Sequence, residues 1–358
     1  MNIIRMGLGA SGALVVGAAV ATLVGSGTVL SLLTQAVIYA VFALGVGLLL
    51  RQNGMVSFGH ALFFGVSGYS MGIILELGLM PAELAIVLTL LGVAVVAFVV
   101  GLVIVRVPGV AFSMLTLALG QMAFLTASRA RGLTGGADGM NINWPQSLFG
   151  LSQSQLHQPA VLFMVCWTVL VLVTLALALL LRSRFGGVTE AVRDNEERAR
   201  FIGVRTLLPR AAIYALSALV TSLGGVLSAL NTGFVSPESL HWSVSGVALM
   251  MVVVGGYKAL WGPALGAIVY FLFKDVLGDY ANHWMAIFGV ALITVIVFSP
   301  TGIAGVFKRT PRAASRLPPL SPSAGGGRTQ RPGEAGSVAA LAAPVPVPPV
   351  LGGAKRNG

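Results

Sequence analysis

Along the first 305 positions the apolar residues come in long uninterrupted blocks, at roughly 1–25, 29–50, 55–77, 82–105, 110–128, 159–181, 211–230, 240–257, 260–278 and 284–305. About 20 residues at 1.5 Å rise cross a ~30 Å hydrocarbon core. Each block therefore predicts one membrane-spanning helix, ten in all, and the expected fold class is an all-α polytopic membrane bundle over residues 1–309. The first block follows a single early Arg5 and has the outline of a secretory signal. No clear small-x-small cleavage site separates it from the next block, so a retained first helix is expected. Block 260–278 is short and ends in Lys274 and Asp275. Snorkelling of Lys274 to the outer interface accounts for this, with a polar group on a transport path as the alternative.

Composition removes the soluble classes. The chain is 56% hydrophobic and 9% charged, where a soluble domain has roughly 25% charged residues. The net charge of +11 does not point to nucleic acid, because no basic face interleaved with aromatics is present. The basic residues instead set an orientation. With ten helices and both termini in the cytosol, the inner set holds Arg5, Arg51, Arg106, seven arginines from Arg182 to Arg210, Lys258, and the cluster Lys308, Arg309 and Arg312. The outer loops hold Arg129 and Arg131 with Glu76, Glu83, Asp138, Glu238 and Asp279, as the positive-inside rule requires. Trp242 and Trp284 open helices at the outer boundary, where amphipathic rings prefer to sit. The lone Cys166 excludes an internal disulfide. Residues 310–358 are rich in Pro, Gly, Ala and Ser, which predicts a disordered cytosolic tail.

One stretch breaks the apolar pattern. "TEAVRDNEERARFIGV", Thr189 to Val204, carries seven charges in sixteen positions. Burying them in lipid would cost ~2.5 to 3.5 kcal/mol each, roughly 20 kcal/mol together, so the stretch lies in water. Thr189 as N-cap, Glu190 in the first turn and Gly203 at a left-handed C-terminal position predict one short helix. Val192, Ala199 and Ile202 would share its apolar face. A solvated surface helix is the plain alternative. Four acids among the seven charges argue against a membrane-surface role and favour a docking protein partner.

No motor and no catalytic set is visible. A P-loop needs Gly-Lys, and no such pair occurs. H-E-x-x-H and G-x-S-x-G are absent, and no metal site or cofactor is predicted. The helix centres carry no carboxylate of the kind that proton-coupled carriers use. Sodium coupling through carbonyls and hydroxyls stays open, as does a membrane enzyme built on His60, Lys274 and Asp275 if these share one depth.

Four segments, "NGMVSFGHALFFGVSGY" (53–69), "LTGGADGM" (133–140), "TEAVRDNEERARFIGV" (189–204) and "VVVGGYKALWGPALGAIV" (252–269), together resemble the permease subunits of branched-chain amino acid ABC importers of the LivH/LivM kind, LivM most of all. The resemblance spans roughly residues 30–305. It implies a ten-helix importer permease of the second type in a bacterial inner membrane, with both termini cytosolic. Its partners would be a second homologous permease, two cytosolic ABC ATPase subunits and an external substrate-binding protein. ATP hydrolysis would fall to the ATPases, leaving this chain without catalysis. In such transporters the loop between the sixth and seventh helices, here 182–210, supplies the coupling helices.

The expected coupling residues are Glu190, Arg193, Glu196, Glu197, Arg200 and Gly203. Glu197, Ala199 and Gly203 keep the spacing of the E-A-A-x-x-x-G motif of other importers, with Arg198 in place of its middle Ala. Ser57, Gly59 and His60 are expected at the translocation path or its inner gate. For the glycines of that segment, close helix approach is the plainer role. "LTGGADGM" predicts a glycine turn in an outer loop, with Asp138 as its charge. Urea or short amides would suit the same architecture.

Overall fold

The computed structural model describes residues 3–307 apart from 79, 108, 146, 279–283 and 299–301. Twelve α-helices of six residues or more follow one another among these: α1 (Ile3–Leu23), α2 (Gly27–Asn53), α3 (His60–Leu77), α4 (Ala82–Ile104), α5 (Val110–Arg129), α6 (Pro159–Arg182), α7 (Arg184–Asp194), α8 (Glu196–Phe201), α9 (Leu207–Thr232), α10 (Trp242–Gly255), α11 (Gly262–Gly278) and α12 (Trp284–Phe298). All but α7 and α8 fall on the predicted apolar blocks. Lipid offers the backbone no hydrogen-bond partners, so helix is the form in which such blocks satisfy themselves.

Among the described residues, seven of the expected ten crossings, α1 to α6 and α9, have the length and composition of a full span. The 14-residue α10 and 15-residue α12 are shorter than a full span, and the 17-residue α11 carries exposed Lys274 and Asp275 in its last turns. The tail 310–358, the Lys308, Arg309 and Arg312 cluster, and Asp279 lie outside the described residues. So does the Trp284 side chain.

The core is organised around α2 and α9, which pack on each other and are flanked by α3, α4, α6, α10 and α11. Of the membrane-length window in α2, 67% is buried, and in α9 78%, against 22% in α4, α5 and α6 and 11% in α1. Lipid tails are as apolar as leucine, so helices in a membrane associate through close packing and hydrogen bonds. Small residues let them do so here. A Cβ on Gly255 of α10 would overlap the Gly262 carbonyl of α11, and one on Gly262 would overlap the Gly256 carbonyl. The segment "VVVGGYKALWGPALGAIV" is thus where α10 and α11 touch backbone to backbone.

The bundle has two polar ends of different character. At one end, α7 and α8 fold against the last turn of α2 and the first turn of α9, beside Arg51, Arg106 and Arg210. At the other end, the two-residue strands β1 (Met140–Asn141), β2 (Ser147–Leu148), β3 (Leu151–Ser152) and β4 (Phe234–Val235) form two antiparallel pairs, β1 with β4 and β2 with β3. Glu83, Asp138 and Glu238 belong to this second end, where Glu83 accepts the Phe149 N–H at 2.7 Å. The glycine turn predicted from "LTGGADGM" is present, with Gly135, Gly136 and Gly139 all at positive φ.

Replacing Gly255 by Ala is expected to lower stability by about 2 kcal/mol, because the overlap is with backbone. Gly92→Ala, on a part of α4 where a Cβ meets nothing within 4 Å, should be neutral to within about 0.5 kcal/mol. Thermal unfolding of both variants in the same detergent checks the contrast.

Candidate functional site

The charged loop predicted from sequence is two helices and not one. Ser183 caps α7 by accepting from the Gly186 N–H at 3.3 Å. Asn195 then leaves helical geometry at φ −157°, and its side chain accepts the Arg198 N–H at 2.9 Å to cap α8. Thr189 is therefore not an N-cap. It sits buried inside α7, where its hydroxyl donates to Gln52 Oε1 of α2 at 2.8 Å and also lies 3.0 Å from the Gly186 carbonyl. Gly203 does take the left-handed position expected of it, at φ +86°.

Two anchors hold the loop to the bundle. On α7, Arg193 donates through Nη1 to the Arg51 carbonyl at 2.5 Å, at the C-terminal turn of α2. It also pairs with Asp194 at 2.6 Å and Glu190 at 3.7 Å. On α8, Glu196 accepts from Arg200 at 2.6 Å, from Arg210 of α9 at 2.6 Å and from the Thr206 hydroxyl at 2.9 Å. Burial works against ionisation of Glu196. The Thr206 hydrogen bond and the charges of Arg210 and Arg200 outweigh it and hold the carboxyl below its ordinary value.

These anchors sort the six expected coupling residues. Glu190, Arg193, Glu196 and Arg200 are engaged within the chain, and Gly203 shapes the turn that leads back to α9. Glu197 is exposed and enters no ion pair among the described residues. The predicted apolar face survives only in part: Val192 is 1% and Ala199 4% exposed, but Ile202 is 75% exposed and its neighbour Phe201 89%. The break at Asn195 turns α8 relative to α7, so a single 3.6-residue period does not run through both. Two apolar side chains thus stand in water beside Glu197 and Arg198. The apolar face expected of Val192, Ala199 and Ile202 leaves out Phe201; an apolar pair immediately before a left-handed glycine is the signal that marks it.

The second expected set, Ser57, Gly59 and His60, is fully buried at the start of α3. His60 Nε2 lies 2.7 Å from Ser217 Oγ of α9 and Nδ1 lies 2.8 Å from Ser57 Oγ. Ser217 donates its one proton to the Gly45 carbonyl of α2 at 2.7 Å, so it accepts from His60 Nε2–H, and Nδ1 accepts from Ser57. The Gly59 N–H also donates to Ser57 Oγ at 3.3 Å. A Cβ on Gly59 would overlap the Thr116 carbonyl of α5. The trio therefore joins α2, α3, α5 and α9 with every imidazole nitrogen satisfied. Lys274, by contrast, is exposed near the end of α11 with its ammonium 5.9 Å from the Phe271 ring centre, and no group of three metal-ligating side chains exists among the described residues.

A bundle of apolar helices with a charged, two-helix loop clamped to one end is that of a multi-pass membrane protein, and the proteins it is similar to are permeases. Residues 28–297 match the family described as branched-chain amino acid transport system / permease component, and the chain belongs to that family. It is similar to the high-affinity branched-chain amino acid transport system permease protein LivM of Escherichia coli (strain K12), 24% identical over 301 residues that cover 78% of this chain and 71% of the relative. The protein of the same description from Salmonella typhimurium is 23% identical over 290 residues, covering 75% and 68%. The autoinducer 2 import system permease protein LsrC of Salmonella typhimurium is 33% identical over 141 residues, covering 37% of this chain and 40% of the relative. No solved structure matches the chain.

Two outcomes test the geometry. His60→Ala strands the Ser57 and Ser217 hydroxyls and leaves a cavity, and should cost about 3 kcal/mol in detergent unfolding. Ser57→Ala, which leaves the Ser217 bond, should cost about 1 kcal/mol. The depressed Glu196 carboxyl stabilises the loop fully above the unfolded value of 4.5, and that contribution is lost as pH falls through the folded value below it. Protease cleavage within 195–206 should therefore rise as pH drops below 4.5, under an acid-active protease. Glu196→Gln should be cleaved readily across the whole range.

Proposed function

We propose that this chain is the permease subunit of an ATP-driven importer of branched-chain amino acids in a bacterial inner membrane, with both termini in the cytosol. The observation that carries the reading is the α7–α8 loop: an exposed Phe201–Ile202 tip beside unpaired Glu197, held rigidly by Arg193 and Glu196 at the arginine-rich end of the bundle. The positive-inside rule makes that end cytosolic. A rigid apolar tip ringed by charge is what a protein groove recognises, since aromatic anchors carry most of the energy of an interface. No Gly-Lys pair for a P-loop occurs in the chain, so the motor is separate.

In this reading two cytosolic ATPase subunits grip the loops of this chain and of a second permease, and an external binding protein delivers substrate at the opposite end. Closing of the motor moves α7 and α8, and the Arg193 and Glu196 anchors pass that movement to α2 and α9. Ser57, Gly59 and His60 form the fixed joint beside the path, around which the inner end opens. The partial likeness to LsrC supports a second reading, in which the same machinery imports a more polar small molecule.

Both readings are separated by uptake in cells lacking the chain. Labelled leucine or valine uptake is expected to return with the wild-type chain. Phe201→Asp should weaken ATPase association about thirtyfold and abolish uptake while the chain stays in the membrane. Restored uptake of autoinducer 2 without leucine transfers the assignment to the second reading. Unchanged ATPase association in Phe201→Asp rejects the docking tip.

A further inference from the structure

A cleft of about 440 Å³ opens where α4 ends, α8 passes and α9 begins, lined by Arg106, Arg200, Arg210, Thr206 and Glu196. Three guanidiniums face one carboxylate. Glu196 neutralises one of them and bonds to both Arg200 and Arg210, which leaves two positive charges without an acid. Arg106 is exposed, with Nε donating to the Leu102 carbonyl of its own helix. Arg210 is 13% exposed, and its Nε–H is buried with no acceptor among the described residues. A buried donor without an acceptor is costly, and an oxygen ligand that reaches it from the cleft would supply one. The first turn of the 26-residue α9 adds N–H groups without intrahelical acceptors and the positive end of its dipole.

The depth of the cleft selects the ligand. It lies at the last residue of one membrane-length helix and the first of another, which is the level of the headgroup phosphates. Leading away from Arg106 along α4, Val103, Val99, Val96 and Val95 are 67, 57, 56 and 62% exposed and follow helical spacing on one outward strip. A molecule with a phosphate for the arginines and hydrocarbon for the valines fits both features together. Guanidinium groups bind phosphate bidentately, and basic pockets between helices at this level suit acidic headgroups.

We propose that this cleft is a binding site for the phosphate of an acidic phospholipid, whose acyl chains lie on the outward valine strip of α4. The bound phosphate completes the charge balance around Glu196 and takes the Arg210 Nε–H. It thereby fixes the base of the α7–α8 loop at the membrane surface. The site is independent of what the protein transports.

The test uses the full chain purified in neutral detergent and probed with phosphatidylglycerol, phosphatidylcholine or inorganic phosphate, read by native mass spectrometry and by thermal shift. One phosphatidylglycerol is expected to be retained per chain and to raise the melting temperature, with phosphatidylcholine and inorganic phosphate doing neither. Arg106→Gln, an exposed side chain outside the Glu196 cluster, should weaken phosphatidylglycerol binding about fivefold. Arg205→Gln, exposed and outside the cleft, should leave it unchanged. An equal shift from inorganic phosphate makes the cleft a free-anion site and overturns the lipid assignment. Equal retention of phosphatidylcholine, or identical binding by Arg106→Gln and the wild-type chain, overturns the site itself.

Discussion

Hydrocarbon tolerates neither bare charge nor an unpaired backbone group, and the whole chain is arranged around that exclusion. Its charges have been moved to the two ends, its backbone is wound into helices wherever it crosses, and glycine replaces side chains where two helices must meet. The α10–α11 contact shows the logic at its closest: Gly255, Gly262 and Gly266 place backbone against backbone, and any Cβ would hold the helices apart. Without a hydrophobic force between helices, such proximity is what dispersion has to work with.

The same exclusion makes the few buried polar groups decisive. Ser67, Ser217, Ser222 and Ser245 are buried, and each spends its hydroxyl on a neighbouring backbone or on His60. These bonds link α3 with α9 and α10, and the Ser217 bond to Gly45 adds α2. The centre of the bundle is therefore tied in register as well as packed. The outer helices α1, α4, α5 and α6 carry exposed valines and leucines, and their polar ties are fewer: Ser113 and Thr116 of α5 bond the Val56 carbonyl and the Phe58 N–H, and Trp167 of α6 donates to the Ala13 carbonyl of α1.

Much of this was legible in the chain because the signal is local. Block 29–50 became Gly27–Asn53 and block 211–230 became Leu207–Thr232; the extra first turn of α9 brings in Arg210, which pairs with Glu196. What could not be read depended on partners far along the chain. Thr189 has the chemistry of an N-cap, yet Gln52, 137 positions away, claims its hydroxyl, while Ser183 takes the capping role. Asn195 lies inside the stretch that reads as one helix, and its cap on the Arg198 N–H splits that helix in two. The polar partner of His60 is Ser217, 157 positions on, and no periodicity announces it.

The hydrogen bonds through His60 run in one direction. Ser57 gives to Nδ1, Nε2 gives to Ser217, and Ser217 gives to a carbonyl oxygen. A carbonyl can accept a proton's attention but cannot hand a proton onward. Among the described residues the row through His60 therefore ends at a group with no proton to give, and it serves as a fixed tie between helices.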